Sequence, residues 1–355
     1  MPLIRFNGHT TNIRDQKINL CSHERKVNAM PELPEVETVK RVLEPQIRGL
    51  TVTKVTVKRP EITAYPDAEQ FCRLVTGQTI SHMERRGKFL ILHLRSHDRI
   101  ILHLRMTGCL LLAPADFPEE AHTHIIFSLS GSPEELPGWD NAPASENTSV
   151  SNDLPASDNV SVSNGLPASE TVSVSNNLHA LELRFSDMRR FGRFWLIREN
   201  EEDPYSGIGK LGIEPFDDKL TPAYLAARLG KRRKTVKECL LDQSVIAGIG
   251  NIYSDEILFA AGIYPARPAN SLKQEDWERI AAAVPERLAF FTEKNEITWE
   301  DYLQAKGRNY RNTPFFQVYG RSGQPCPACN HRLCRMVVGG RSSVYCPDCQ
   351  KDPGA

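Results

Sequence analysis

Apolar positions change their period twice along the chain. Val36, Val39, Val42, Leu43 and Ile47 recur at three- and four-residue spacing, which predicts a helix with one buried face. Pro34 suits its first position, where a missing N–H costs nothing. Glu35 and Glu37 favour the positive end of the helix dipole, and Pro45 marks the expected end. A period of two then takes over. Val52, Val55 and Val57 share one run; 88–95 and 99–106 form two more, joined by Ser96-His97-Asp98 as a hairpin; 109–113, 124–129, 180–185 and 193–197 continue the series. Short strands separated by turns predict a sandwich or a barrel. From Thr221 the helical period returns, with helices expected over 221–229, 234–243, 251–261, 273–292 (broken near Pro285) and 299–305. The C-terminal stretch is Gly-rich and Cys-paired, as in a small metal-stapled ribbon.

Two stretches carry neither period. Residues 1–29 are mostly polar and read as an extension that is disordered or not made. Residues 131–179 interrupt the strands with a twelve-residue repeat over 143–154, 155–166 and 167–178, too polar to bury much, and read as a flexible loop insertion.

Charge sharpens this picture. The net charge is zero, but 131–180 holds seven acidic side chains and no Lys or Arg, which leaves +7 on the rest. Residues 302–351 alone hold eight basic residues and one acidic. Such an uneven distribution fits either a solvated face or a nucleic-acid footprint. No apolar run is long enough to span a membrane and the first 29 residues lack a signal-peptide core, so a cytoplasmic protein is expected.

Four motifs carry chemistry. Cys326, Cys329, Cys346 and Cys349 form two Cys-x-x-Cys knuckles sixteen residues apart, which suits one tetrahedral structural Zn2+. Between them, 339–343 fits a tight hairpin presenting Arg341, a cation suited to phosphate or base contact. Residues 237–256 read as helix, two turns, helix; Gly248 and Gly250 permit the turn, and Asn251 is the expected N-cap of a helix whose free N–H groups would bind a phosphate. Asp187-Met188-Arg189-Arg190-Phe191-Gly192 and Arg105-Met106-Thr107-Gly108 each follow a strand; Phe191 and Met106 there are candidate wedges for a base stack. Arg85-Arg86-Gly87-Lys88 offers a further basic turn.

The start of the first helix is the fourth. Met30-Pro31 resembles a translation start. With Met30 removed, Pro31 would present a secondary amine, which is nucleophilic when uncharged. Attack on an aldehyde-like sugar carbon would give an iminium that cannot lose its charge, an electron sink for bond cleavage. Glu32 lies beside it to move protons.

Assembled, these stretches resemble the formamidopyrimidine-DNA glycosylases, bacterial base-excision repair enzymes, from Met30 to Gln350 apart from 131–179. The motifs come in that family's order: Pro-Glu-Leu-Pro-Glu-Val-Glu-Thr, Arg-Arg-Gly-Lys, His-Leu-x-Met-Thr-Gly, Asp-x-Arg-Arg-Phe-Gly, Gly-Ile-Gly-Asn-Ile-Tyr, Val-Tyr-Gly-Arg and Gly-Arg-Ser-Ser followed by Cys-Pro-x-Cys-Gln. The resemblance implies a multidomain α+β protein. Residues 30–205 would form a catalytic β-sandwich with a leading helix, 206–312 a helix–two-turns–helix DNA-binding domain, and 313–352 a zinc finger.

It also implies roles. Pro31 would attack C1′ and expel the base, with Glu32 as acid/base and Lys88 completing the catalytic set at a phosphate. Glu35 would position the first helix. Asn251 and Arg341 would grip phosphates, and Lys237 would add a contact. Met106, Arg189 and Phe191 would fill the hole left by the everted base, while 304–313 would cover the flipped purine. The expected partner is duplex DNA carrying oxidised bases, acted on by a monomer at the nucleoid.

Four departures accompany the likeness. Residues retained before Pro31 would make its nitrogen a tertiary amide. Met188 stands where the family usually has proline, the stretch 308–312 matches poorly, and the acidic insertion must loop away from DNA. Rival readings are the endonuclease VIII type acting on oxidised pyrimidines, against which Leu33 speaks, and a non-catalytic damage-binding protein with a blocked N-terminus. A zinc-ribbon regulator would leave the Pro31–Glu35 stretch unexplained.

Overall fold

The computed structural model describes residues 31–131, 180–308 and 311–352. The expected extension (1–29) and nearly all of the repeat insertion (131–179) lie outside these residues.

Helix α1 (Leu33–Ile47) leads the chain. Pro45 lies inside its last turn rather than ending it. The N–H that proline lacks is one hydrogen bond, and the buried Val42, Leu43 and Ile47 hold the turn in place. Strands β1 (Thr51–Val57), β6 (Gly108–Pro114), β7 (Thr123–Ser130) and β8 (Leu181–Asp187) form one sheet in the order β1-β7-β8-β6. The second sheet runs β2-β9-β5-β4-β3, from β2 (Thr63–Tyr65), β3 (Ile80–Arg86), β4 (Phe89–Leu94), β5 (Arg99–His103) and β9 (Arg193–Ile197). Helix α2 (Ala68–Val75) connects β2 to β3. The sequence periodicity missed β2, β3 and α2, each short or facing solvent on one side. Alternate residues of both sheets point inward, and one core joins Leu90, Leu102 and Phe194 to Leu110, Phe127 and Phe185 with the apolar face of α1. The architecture is a sandwich, not a barrel.

A second, helical core is built from α3 (Pro222–Leu229), α4 (Val236–Leu240), α5 (Asn251–Ala260) and α6 (Gln274–Lys294), while α7 (Trp299–Gln304) packs Tyr302 back onto the sandwich core. Helix α4 is half the expected length. Helix α6 runs unbroken through Pro285, because Trp277, Ile280, Val284, Leu288 and Phe291 bury one continuous face whose packing outweighs the lost bond. Leu33, at the start of α1, belongs to this second core while Val36 onward belongs to the sandwich. The first helix is therefore shared between two domains.

Strands β10 (Cys334–Val338) and β11 (Arg341–Tyr345) form the terminal hairpin. Gly339 and Gly340, at φ 54° and 75°, make its two-residue turn, a conformation glycine adopts without strain. Among the described residues no helix is long and apolar enough to cross a membrane.

Candidate active site and DNA interface

Three carboxylates stand at the start of α1, and two of them, Glu32 and Glu35, are buried. Glu32 is 1% exposed. Its side chain accepts the N–H groups of Gly250 (2.8 Å), Ile252 (2.9 Å) and Tyr253 (3.3 Å) at the start of α5. The sequence placed a phosphate at this helix end; the protein places its own carboxylate there. The N-cap is Gly250, and Asn251 is the first helical residue rather than the cap. A Cβ on Gly250 would fall 2.3 Å from the Glu32 carboxyl carbon, so glycine is what lets the carboxylate in. Burial pushes the Glu32 pKa up, against the pull of Lys88 and of the three N–H groups.

Glu35 forms a capping box with Glu32, accepting its backbone N–H at 2.9 Å. The other Glu35 oxygen meets the Tyr253 hydroxyl and Asn312 Nδ2. Burial pushes its pKa up to about 7. Pro31 is buried beside them and lines a pocket with Glu35, Leu104, Gly108, Cys109 and Gly307.

Lys88 follows a turn whose other cations are already engaged. Arg85 pairs with Glu37 (2.7 Å) and Glu214 (2.8 Å), and Arg86 with Glu214 (2.6 Å). The basic turn thus offers a single uncommitted cation, Lys88. Burial lowers its pKa, and the charges of Glu32, Glu35 and Arg341 act on it. Exposed Arg341, at the tip of the zinc hairpin, is near enough for its charge to act on Lys88. Asn251 lies beside Tyr319, and its Oδ1 is buried with no partner.

Lys237 departs from expectation. It is fully buried, not presented to solvent, with Nζ 2.6 Å from Asp255 and 3.1 Å from the Ser342 carbonyl. Asp255 also accepts from Ser343 Oγ (2.6 Å) and Val344 N (3.0 Å). The pair fastens α5 to β11 directly behind Arg341, which makes Lys237 a support for the hairpin instead of a surface contact.

The wedge candidates converge. Arg189 Nη1 donates to Met106 Sδ at 3.0 Å, and its guanidinium lies 4.9 Å from the Phe191 ring centre. All three are exposed, Phe191 by 47%. Sequence reasoning missed what holds them. Buried Asp187 accepts the Thr107 hydroxyl and the N–H groups of Arg189 (3.1 Å) and Gly192 (2.8 Å), and its own carbonyl meets His124 Nε2 at 2.7 Å. Gly108 pairs with Asp187 in the sheet, so both loops leave side by side. His103, between Lys88 and Arg105, was also missed; burial pushes its pKa down to about 3.

The four zinc-knuckle thiols gather as a set, all Sγ atoms within 4.8 Å of one another. Tetrahedral zinc at ~2.3 Å from each sulfur sets sulfurs ~3.8 Å apart. Cys326–Cys349 at 3.9 Å and Cys329–Cys346 at 3.4 Å fit one structural ion. The N–H groups of Ala328 and Cys349 point at knuckle sulfurs at 3.4 Å, as thiolates require.

Comparison with known proteins agrees with this geometry. Family models match in chain order: the formamidopyrimidine-DNA glycosylase N-terminal domain over 30–141, its H2TH domain over 211–300, and the zinc finger found in FPG and IleRS over 323–351. The formamidopyrimidine-DNA glycosylase of Moorella thermoacetica is 40% identical over 86% of this chain and 94% of its own. That of Carboxydothermus hydrogenoformans is 37% identical over 91% and 100%. Two solved structures of the Lactococcus lactis enzyme superpose over most of the chain. One, with DNA containing an abasic site, has a TM-score of 0.71 at 28% identity, covering 91% of this chain and all of that one. The other, with Fapy-dG DNA, has 0.68 at 30%, covering 90% and 100%. Sandwich, helix–two-turns–helix unit and zinc finger thus follow the order of the zinc-finger DNA glycosylases. The chain belongs to the formamidopyrimidine-DNA glycosylase family.

Proposed function

We propose that this protein excises oxidised purines, 8-oxoguanine and formamidopyrimidines, from duplex DNA and then cuts the abasic strand on both sides. The observation that carries the reading is the pairing of Pro31, lining a pocket, with Glu32, a buried carboxylate one residue away on the N-terminus of α5. The family match begins at residue 30, in keeping with a mature chain that starts at Pro31.

In this reading the Pro31 amine attacks C1′ of the everted nucleotide. The C1′–N bond breaks, and the base leaves with a proton. Glu32, its pKa raised, exchanges protons with the opening sugar. The resulting iminium acidifies C2′; loss of that proton expels the 3′ phosphate, and a second elimination expels the 5′ phosphate. Water then frees Pro31. Lys88, Asn251 and Arg341 hold the phosphates, and Met106, Arg189 and Phe191 occupy the vacated stack. Zinc supplies rigidity to the Arg341 hairpin and takes no chemical part. A monomer suffices, working where the nucleoid DNA is.

Borohydride trapping on a duplex with one 8-oxoguanine opposite cytosine tests this. The expected result is a covalent adduct on the N-terminal peptide at Pro31. Binding without an adduct would favour a non-catalytic damage binder.

A further inference from the structure

Glu35 stands at a junction of three donors. One oxygen accepts the Glu32 N–H at 2.9 Å; the other accepts from the Tyr253 hydroxyl and from Asn312 Nδ2 at 3.1 Å. The same Nδ2 lies 2.8 Å from Tyr253 Oη. Asn312 is 1% exposed and comes after α7, from a different part of the chain than either partner.

Its neighbour is tied down as well. Arg311 N–H donates to Asn295 Oδ1 at 3.0 Å, and Asn295 Nδ2 donates to Thr38 Oγ1 at 2.9 Å. Two consecutive residues are thereby fastened to the first turns of α1. Nearer α7, Cys109 Sγ donates to the Gly307 carbonyl at 3.2 Å, and a Cβ on Gly307 would fall 2.4 Å from that sulfur. Gly307, Cys109, Asn295 and Glu35 are all walls of the pocket that Pro31 lines. Gly307 is therefore part of the pocket, and Asn312 bonds Glu35, a carboxylate that lines it too.

We propose that Asn312 is a positioning residue that acts through Glu35 and, by way of the Glu32 backbone, on the reacting end of the chain at Pro31. This rests on the function proposed above. Three N–H and O–H groups aimed at one carboxyl favour its ionised form, which can accept from all of them at full strength. Burial and the neighbouring Glu32 work the other way, with Tyr253 and Asn312 pulling back and the Lys88 charge close by. The junction therefore titrates near neutrality, and the Asn312 donor keeps its carboxylate form populated.

The test is the pH profile of single-turnover base release from 8-oxoguanine opposite cytosine, using the chain from Pro31 to its C-terminus. In Asn312→Leu, which removes the donor, the acid limb moves up by ~1 pH unit, so the rate on that limb falls ~10-fold while the plateau at higher pH is retained. In Asn312→Asp, which sets a second carboxyl against Glu35, it moves further up. Should Asn312→Leu not fold, Asn312→Asp, which keeps shape and polarity, decides alone. A rate reduced equally at every pH, or an acid limb that does not move, overturns the proposal. No base release by the unmodified chain would instead overturn the functional reading on which it rests.

Discussion

The Glu32 carboxylate accepts the backbone N–H of Ile252 at 2.9 Å across 220 residues of sequence. The helix end that could have bound a phosphate instead holds a buried carboxyl beside Pro31. Glu32→Gln keeps much of the shape but removes the charge and the proton exchange. Base release is expected to fall by ~100-fold or more while DNA affinity stays within a few-fold. Single-turnover rates and gel-shift affinity measured side by side check this.

Gly250→Ala makes the same point from the opposite side. Its backbone, at φ −128°, is open to alanine, but the added Cβ would occupy the place of the Glu32 carboxyl. The expected outcome is excision as poor as in Glu32→Gln, with a stability loss of ~1–3 kcal/mol from overpacking, read by chemical denaturation. Near-normal excision would show that the carboxylate does not need this seat.

Met106 and Phe191 are exposed and support little of the fold. Alanine at either should leave unfolding unchanged within ~0.5 kcal/mol. Release of a paired damaged base should nevertheless drop, because nothing would refill the stack, whereas cleavage of preformed abasic DNA should persist. Equal loss on both substrates would assign these residues another task.

Asp255→Ala leaves Lys237 buried and unpaired. A loss of ~3–5 kcal/mol is expected by denaturant unfolding. DNA affinity should fall with it, because the segment behind Arg341 loses its anchor. Removing zinc with a chelator, or Cys346→Ala, should likewise abolish tight DNA binding while the β-sandwich signal in circular dichroism remains. Unchanged affinity without zinc would contradict a structural ion.

His103 sets a pH dependence of stability. Its folded pKa of about 3 lies below the ordinary 6.5. Between those values the unfolded chain binds a proton that the folded chain refuses, so stability is full above ~6.5 and is lost as pH falls toward ~3. His103→Gln lacks this slope. The stability advantage of the native chain over the variant should shrink on acidification by up to ~1.4 kcal/mol per pH unit. Parallel curves would show that the imidazole is not buried neutral.

What could be read in advance was local. Helix α1 follows its own apolar spacing, and the zinc knuckles lie within one short stretch, so both were legible. Pro285 misled because a missing N–H is visible in sequence whereas the buried face of Trp277 to Phe291 is a tertiary fact. Lys237 was expected to add a contact to DNA, and its burial against Asp255 could not be read because that partner sits on another helix. Pro31, Glu32 and Lys88 were expected to act together, with Glu35 as support, only through the family resemblance, and Tyr253, Asn312, Asp187 and His103 were given no role. Their importance lies in which atoms they reach, and no periodicity encodes that.

The division of α1 between two cores has a consequence for modular reuse. Leu33 seals the helical unit, and three residues later Val36 seals the sandwich. A gene cut between the two units would not yield a weak nuclease and a separate DNA reader. It would strip the Glu32 carboxylate of its helix, open both interiors at the cut and yield two inert fragments. Chimeras with other repair proteins should therefore inherit activity only when they carry this helix and the Gly250 turn from the same parent.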